Sequence, residues 1–155
     1  MRHFGDRNVG TRVKSYMISK QLVSASNVHI DALMSWFPDR DSVVTWGGPS
    51  FRYPFSRNSF LEDVYWDRMP TFVLLDAAGA MIGFGQTYEK EGRGHLARLI
   101  VSLPLRHNGY GKALVERLCE KARELYACSE YSLYVLRTNN AAIRCYSKAG
   151  FEEAP

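Results

Sequence analysis

The loop at residues 106–112 has the residue types and spacing most suited to chemistry, Arg-x-x-Gly-x-Gly-Lys. It follows an apolar run at residues 96–101 and precedes a segment with helical periodicity. The first turn of a helix leaves backbone N–H groups without internal partners, and the helix dipole adds about half a positive charge there. Gly109 and Gly111 allow close approach of an anion, and Arg106 and Lys112 add positive charge. The sequence therefore predicts a cradle for a diphosphate at this junction.

A dinucleotide-binding fingerprint is the rival interpretation of this loop, and its spacing excludes it. That fingerprint needs a third glycine three residues after the second, where this chain has Leu114. The three cysteines, Cys119, Cys128 and Cys145, lack the spacing of a metal site, so no metal is expected. Cys119 and Cys145 fall in predicted helices and are expected to be small buried side chains.

Length and composition favour one soluble domain. The chain has 155 residues, of which 46% are hydrophobic and 23% charged. No apolar run approaches the roughly 20 residues of a membrane span, and no secretory signal pattern opens the chain. A cytoplasmic protein without a membrane partner is therefore expected. The net charge of +4 comes without a recognisable nucleic-acid module, so no nucleic-acid partner is expected either.

The pattern along the chain predicts a mixed α and β domain. Residues 1–14 lack periodicity and are assigned to a mobile lead-in, with a single domain at residues 15–155. A first strand is predicted at 16–24 and a helix at 28–37, capped by Ser26 or Asn27 and ended by Pro38. The remaining predictions are a meander of strands at 71–76, 81–88 and 94–101, a helix at 109–126, a strand at 131–136 and a helix at 141–148.

Residues 36–66 mix aromatic rings with turn formers. This composition predicts a lid or loop region over a pocket, with a short helix near residues 59–66. Most of the rings are expected to pack in the core or between helix and sheet.

Two motifs in this order carry a family resemblance. Arg106-His107-Asn108-Gly109-Tyr110-Gly111 resembles the acyl-CoA signature R/Q-x-x-G-x-G/A of the GNAT superfamily of N-acyltransferases. Residues 139–151 resemble the second motif of that superfamily, N-x-x-A-x-x-x-Y-x-x-x-G-F. The resemblance implies an α+β, three-layer fold whose mostly antiparallel, mixed sheet is flanked by helices, with acetyl-CoA in a splay between two strands.

The resemblance also assigns roles to positions of this chain. The strand edge at Leu99, Ile100 and Val101 would bind the pantetheine arm of acetyl-CoA through backbone hydrogen bonds. The second motif would contribute Asn139 and Ala142 to the cofactor site, and Tyr146 would lie near the sulfur. The loop residues implied to surround the diphosphate, with their backbone N–H groups and with Arg106 beside them, are His107, Asn108, Gly109, Tyr110, Gly111 and Lys112.

The activity implied is transfer of an acetyl group from acetyl-CoA to a primary amine of a small molecule or peptide. Tyr146 is the candidate acid for the leaving thiolate, because an ordinary phenol has a pKa near 10 and is protonated at neutral pH. Glu89 and His95 are the candidate bases for the amine, since both lie in or beside the turn at residues 89–94. The alternative is a non-catalytic acyl-CoA-binding or sensing module on the same scaffold.

Two departures from the family pattern bear on this interpretation. Relatives that acetylate protein N-termini often have a glutamate five positions before the motif asparagine, and this chain has Tyr134 there. Family members usually continue past G-F into a final strand, whereas this sequence stops at Pro155. The last strand is then beyond the sequence, missing, or supplied by a neighbouring subunit, and a homodimer is one expectation.

The acceptor is expected to meet an aromatic wall. Such a wall favours a cationic or ring-containing amine, because ring faces attract cations and stack on other rings. The candidate wall residues are Trp36, Trp46, Phe51, Tyr53 and Phe55.

Overall fold

The strands and helices follow one another in nearly the order that the periodicity predicts. The computed structural model describes residues 2–5, for which only the backbone is considered, and residues 20–154. The strands in these ranges are β1 (Arg2–Gly5), β2 (Gln21–Ser24), β3 (Thr71–Leu75), β4 (Met81–Lys90), β5 (Arg93–Val101), β6 (Glu130–Leu133) and β7 (Glu152–Glu153). The helices are α1 (Asn27–Met34), α2 (Arg40–Gly47), α3 (Arg57–Asp63), α4 (Tyr110–Tyr126) and α5 (Asn140–Lys148).

The described strands form one mixed sheet in the order β2-β3-β4-β5-β6-β1-β7. Neighbouring strands are antiparallel except β5 and β6, which are parallel. One face of the sheet packs against α4 and α5, and the other against α1, α2 and α3. The predicted three-layer α+β fold is therefore confirmed.

Short turns join the strands of the meander. The side chain of Asp76 accepts hydrogen bonds from the N–H groups of Ala78 and Ala80, at 2.9 Å each, and fixes the turn between β3 and β4. Glu91 and Gly92 turn the chain from β4 into β5 with positive φ angles of 52° and 77°. These turns place β5, which the resemblance implies as the cofactor strand, in the middle of the sheet.

Helix α4 lies on the sheet through an apolar stripe. Leu114, Val115, Leu118, Cys119 and Ala122 are all buried and recur every three or four residues, which is the spacing of one helix face. The prediction of this helix was correct to within one residue at its start. Among the described residues, no helix combines the length and the apolar character needed to cross a membrane.

The segment before β3 differs from the prediction. Helix α1 ends at Met34, before Pro38, and α2 occupies residues that were expected to be loop. The side chain of Asp39 caps α2 by accepting a hydrogen bond from the N–H of Ser42 at 2.8 Å. Helix α2 was missed because its eight residues include Thr, Gly and two β-branched valines, which are weak helix formers. The cap and the packing of Val43 in the core stabilise it instead.

The start of the chain is also different from the expected lead-in. Residues 2–5 form β1, which lies between β6 and β7 and is antiparallel to both. Arg2 faces Leu133 of β6, and His3 faces Glu152 of β7. The rest of the predicted lead-in and the start of the predicted first strand, residues 6–19, lie outside the described residues. Four residues are too few to show a strand period, whereas the open hydrogen-bonding edge of β6 can pair with any extended segment.

Candidate functional site

Strands β5 and β6 separate after a short paired stretch. Their parallel pairing runs from Gly94 with Tyr131 to Leu96 with Leu133. Beyond it, residues 97–101 remain in the sheet only through β4, so their other backbone edge faces an open cleft. Strand β6 had been predicted to continue to Leu136, but residues 134–136 leave the sheet and line the opposite wall of the cleft. The cleft has a volume of about 1300 Å³.

A β-bulge interrupts β5 within this open edge. Gln86 of β4 pairs with Ala97 and Phe84 pairs with Ile100, so Gly85 faces both Arg98 and Leu99. Arg98 has a φ of +50°, which is rare for a residue with a side chain. The indole N–H of Trp46 donates a hydrogen bond of 2.7 Å to the Arg98 carbonyl. A bulge re-aims backbone and side-chain groups, and this one does so in the cleft wall.

The glycine loop meets the cleft at the start of α4. Gly109 precedes the helix with a φ of +80°, and a Cβ at this position would have no atom within 4 Å. The backbone N–H groups of Tyr110, Gly111 and Lys112 occupy the first helical turn, where no intrahelical carbonyl can accept from them. The loop therefore offers an open, positively polarised concavity that fits a diphosphate.

The loop side chains divide between the cleft and the loop itself. Those in the cleft wall include Arg106, His107 and Lys112. Arg106 also donates from Nε to the carbonyl of Val101 at 3.1 Å. Asn108 lies outside the cleft wall and donates to the carbonyls of Leu105 and Arg106, both at 3.3 Å, so its side chain holds the loop in shape.

The two remaining loop positions have packing roles that the sequence did not reveal. The ring of Tyr110 lies outside the cleft wall, 4.6 Å beneath the Nζ of Lys20. A Cβ at Gly111 would lie 2.9 Å from the Sγ of Cys145, so the absent side chain allows α4 and α5 to pack closely. Gly111 thus serves helix packing as well as lining the cleft.

Helix α5 brings the second motif to the same cleft. The side chain of Asn139 caps this helix by accepting from the N–H of Ala142 at 3.2 Å. Asn139, Ala142 and Tyr146 all line the cleft. Burial raises the pKa of the Tyr146 phenol above its ordinary value, so the hydroxyl holds its proton throughout the neutral range.

The two candidate bases lie in different places. His95 lines the cleft, where it is only 2% exposed and lies between the rings of Tyr88 and Tyr134, at 4.9 and 4.7 Å. Glu89 is exposed and does not line the cleft. Its charge instead acts on Tyr126 of α4, on the other face of the sheet. Alternation along β4 explains this difference, because Tyr88 faces the cleft and the next side chain faces away.

The imidazole of His95 is held at one nitrogen. Its Nδ1 lies 2.8 Å from the Oγ of Ser132 on the paired strand β6. Its Nε2 has no hydrogen-bond partner among the described residues. Burial lowers the pKa of His95 to about 4, and the positive charge of Lys90 acts in the same direction. His95 is therefore neutral at pH 7, and with the proton on Nδ1 its Nε2 can accept a proton.

The aromatic wall contains only part of the predicted set. Trp36 and Trp46 line the cleft, as expected. Phe51, Tyr53 and Phe55 do not line it and pack with α1, α2 and α3 instead, which corrects the prediction for those three. All five are aromatic residues of the same segment, so residue type alone does not show which of them face the cleft, and the packing of the helices decides it. Besides Tyr146, the described positions that contribute further phenylalanine or tyrosine rings to the cleft are Phe37, Tyr65, Tyr88 and Tyr134.

Arg98 is a charged cleft residue that the sequence analysis did not single out. Its Nη1 donates to the Oε1 of Gln86 at 3.0 Å, and its guanidinium lies 5.1 Å from the ring centre of Tyr65. The available signal was a charged residue within the otherwise apolar run at residues 96–101.

The low pKa of His95 predicts a pH dependence of stability. In the unfolded chain His95 has an ordinary pKa of about 6.5 and becomes protonated below that pH. In the folded chain it becomes protonated only near pH 4, so the unfolded state binds more protons between these two pH values. The free energy of unfolding should therefore fall between pH 6.5 and 4, by up to about 3 kcal/mol more in the native chain than in His95→Gln. Urea unfolding at several pH values measures this difference. His107→Gln, which replaces an exposed loop histidine, is the control and should show the same pH dependence of unfolding as the native chain. The prediction would be contradicted if His95→Gln also showed the native pH dependence.

Comparison with known proteins places this geometry in a family. The sequence profile of the Acetyltransferase (GNAT) family matches residues 40–151. The chain is 33% identical over 76 residues to a probable spermine N(1)-acetyltransferase of Bacillus subtilis subsp. natto and, equally, to a spermine/spermidine N(1)-acetyltransferase of Bacillus subtilis. Each match covers 47% of this chain, and the chain spans about half the length of these curated relatives.

Solved structures show the same fold at low identity. Spermidine N-acetyltransferase from Vibrio cholerae, in complex with CoA and spermine, superposes with a TM-score of 0.72 at 19% identity, over 89% of this chain and 83% of that one. An aminoglycoside acetyltransferase in complex with ribostamycin and coenzyme A gives a TM-score of 0.71 at 21% identity, over 88% and 84% of the two chains. Because the family profile spans more than half of the sequence and includes both motifs that line the cleft, the chain belongs to the Acetyltransferase (GNAT) family.

Proposed function

We propose that this protein is an acetyl-CoA-dependent N-acetyltransferase that acts on a primary amine of a small molecule or peptide. The observation that carries the proposal is the open backbone edge of residues 97–101, which leads into the anion-binding start of α4 and faces Tyr146 across one cleft. The relatives are named for acetylating spermine, spermidine and aminoglycosides, which are all amines. Membership in the family supports the same reaction here.

The residues present fit acetyl-CoA. The amides at the start of α4 and the charges of Arg106 and Lys112 would bind its diphosphate. The free edge at Leu99–Val101 would bind the pantetheine amides as a neighbouring strand does, and Asn139 and Ala142 would flank the arm. When bound, acetyl-CoA supplies an acyl group that is already activated as a thioester.

The chain then has to move two protons. In the tautomer with the proton on Nδ1, toward the Oγ of Ser132, the Nε2 of His95 would accept the proton of the attacking amine, directly or through a water molecule. The phenol of Tyr146 is placed to give its proton to the departing sulfur, since burial keeps it protonated. The re-aimed backbone at the Arg98–Leu99 bulge is the candidate donor for the oxyanion.

Gly109→Ala should weaken coenzyme A binding. The new Cβ would occupy the open side of the cradle, so we expect a dissociation constant at least about tenfold higher, or 1.4 kcal/mol. Gly92→Ala is a matched control, because Gly92 has a similar φ of +77° and equally open space but lies in the turn between β4 and β5. Calorimetric titration with coenzyme A should show weak binding only for the Gly109 variant. Equal affinities in the two variants would refute the cradle.

Tyr146→Phe tests the proposed acid. Loss of the hydroxyl should lower kcat by about 10²-fold, because the thiolate must then leave unprotonated. The KM for acetyl-CoA should change little, since the ring that packs near Phe151 is kept. Release of free thiol in the presence of an amine panel measures both constants. A protein that binds acetyl-CoA tightly but transfers acetyl to no amine, with either residue at position 146, would instead be the non-catalytic binding module.

His95→Gln and Glu89→Gln distinguish the two candidate bases. We expect kcat to fall by about 10²-fold or more in His95→Gln and to stay near the native value in Glu89→Gln, because only His95 lies in the cleft. The amine acceptor and acetyl-CoA should both be saturating, so that kcat reports the reaction rather than binding. A loss in Glu89→Gln with native rates in His95→Gln would reverse the assignment.

A further inference from the structure

The guanidinium of Arg98 lies in the cleft, and no carboxylate of the described residues forms an ion pair with it. Its Nη1 donates to Gln86 and lies 3.9 Å from the Sδ of Met69. Its Nε is buried without a hydrogen-bond partner, and its Nη2 has none among the described residues. The nearby carboxylate of Asp63 is already paired with Arg52 at 3.0 Å. Asp63 therefore acts on the Arg98 charge only through space, and Arg98 has hydrogen-bonding capacity that the described residues do not satisfy.

This site is unusual because an unpaired, part-buried cation is unfavourable. Burial lowers the pKa of Arg98, although an arginine remains charged at neutral pH. Its backbone also has a positive φ, and its carbonyl is fixed by the indole of Trp46. These contacts hold Arg98 in the cleft despite the cost. An anion on the ligand would supply the missing partner.

The charges of the cleft wall disfavour a polycation. Asp41 is the one carboxylate among the described residues that line the cleft, and it is exposed in the first turn of α2. Among the described basic residues of the same wall, Arg106 and Lys112 are assigned to the diphosphate and Arg144 and Lys148 belong to α5, so Arg98 is the arginine that an acceptor would meet. Polyamines and aminoglycosides carry several positive charges, which carboxylates would have to balance. A bound polycation would instead meet Arg98 in the same cleft as the proposed base His95, and like charges in a cleft repel.

The surroundings of Arg98 are apolar and flat. The ring of Tyr65 lies against the guanidinium of Arg98, and the indole of Trp46 donates a hydrogen bond to the Arg98 carbonyl. Trp36, Tyr65, Met69 and Tyr88 line the same cleft as Arg98. A ligand held here by an anionic group would therefore have its remaining atoms against rings and a thioether, which accommodate an aliphatic or aromatic body.

We propose that the acceptor is an amine that also bears a carboxylate and an apolar or aromatic body, as an amino acid does, and that Arg98 binds the carboxylate. This inference rests on the proposed acetyltransferase function and specifies its substrate class. A guanidinium can bind a carboxylate through parallel N–H donors, and that geometry also orients the amine of a short substrate. Arg98 is then a specificity residue, while His95 and Tyr146 move the protons.

Matched pairs of acceptors test the role of the carboxylate. L-phenylalanine and phenethylamine differ only in that group, as do L-tryptophan and tryptamine, and L-leucine and isoamylamine. We expect the native protein to favour the carboxylate-bearing member of at least one pair by tenfold or more in kcat/KM. Arg98→Gln should abolish that preference by lowering kcat/KM for the amino acid at least tenfold more than for the plain amine. Arg98→Lys should retain part of the preference, because it keeps the charge but loses the planar pair of donors.

The controls separate specificity from general effects of charge or folding. Arg144→Gln removes an exposed positive charge from the α5 side of the cleft and should leave the preference intact. The KM for acetyl-CoA should be native in Arg98→Gln, which excludes a collapsed cleft. A preference that is unchanged in Arg98→Gln would overturn the proposal. Faster acetylation of spermine or kanamycin than of every carboxylate-bearing amine would overturn it as well.

Binding measurements keep this inference separate from the proposed function. Calorimetric titration of the amino acids and their plain amines into the coenzyme A-loaded protein requires no turnover. Binding of an amino acid that is lost in Arg98→Gln, without acetylation of any amine, would support the carboxylate site and refute the enzyme. Acetylation of plain amines without Arg98-dependent binding of a carboxylate would support the enzyme and refute the site.

Discussion

The end of pairing between β5 and β6 is the constraint on which the rest of the site depends. A strand inside a sheet uses both backbone edges, but residues 97–101 of β5 use one edge for β4 and face the cleft with the other. An extended ligand with amide groups can bind such an edge in place of a strand. The same divergence sends residues 134–136 away from the sheet and creates the volume that the ligands would occupy. Backbone geometry, rather than any one side chain, thus defines the place of the proposed reaction.

The bulge at Arg98 links the two halves of this cleft. It lies on the strand whose free edge faces the cofactor side, and its arginine side chain reaches Gln86 and Tyr65 on the acceptor side. The hydrogen bond from the indole of Trp46 to the Arg98 carbonyl connects α2 to this bulge. A displacement of α2 would therefore shift both the aromatic wall and the strand edge. The proposed substrate preference and the position of the reacting groups have a common structural origin.

Fold and acceptor chemistry vary separately in this family. The chain shares its fold with acetyltransferases whose structures contain spermine or ribostamycin, yet its sequence identity to them is only 19% and 21%. In the part of the chain that the structure describes, its cleft wall contains one exposed carboxylate, Asp41, and an arginine, Arg98, that forms no salt bridge. Binding specificity resides in side chains that line the site, and the same scaffold can accommodate different ones. The charges of this cleft are therefore better evidence for the acceptor than the names of its structural neighbours.

The sequence was sufficient where the signal is local. The three-stranded meander, α4 and α5 follow from side-chain periodicity, and the family resemblance of the two motifs predicts that Gly109, Asn139 and Tyr146 share one site, as they do in the cleft. It could not show that Glu89 faces away from the cleft while His95 lies within it. That difference depends on the register of β4 with β5, which is a property of two strands together.

Three other features depend on contacts between distant segments. Strand β1 pairs with the edge of β6, which follows it by more than a hundred residues, and α2 is stabilised by the packing of Val43 in the core. Position 111 needs a glycine because a Cβ there would approach Cys145 of another helix too closely. The chemistry available to the chain was thus determined by residue types and short spacings, because these fix helix starts, loops and hydrogen-bonding groups. Which side chains line the acceptor side of the cleft was determined only by the tertiary structure, because strand register, a bulge and helix packing set the direction in which each side chain points.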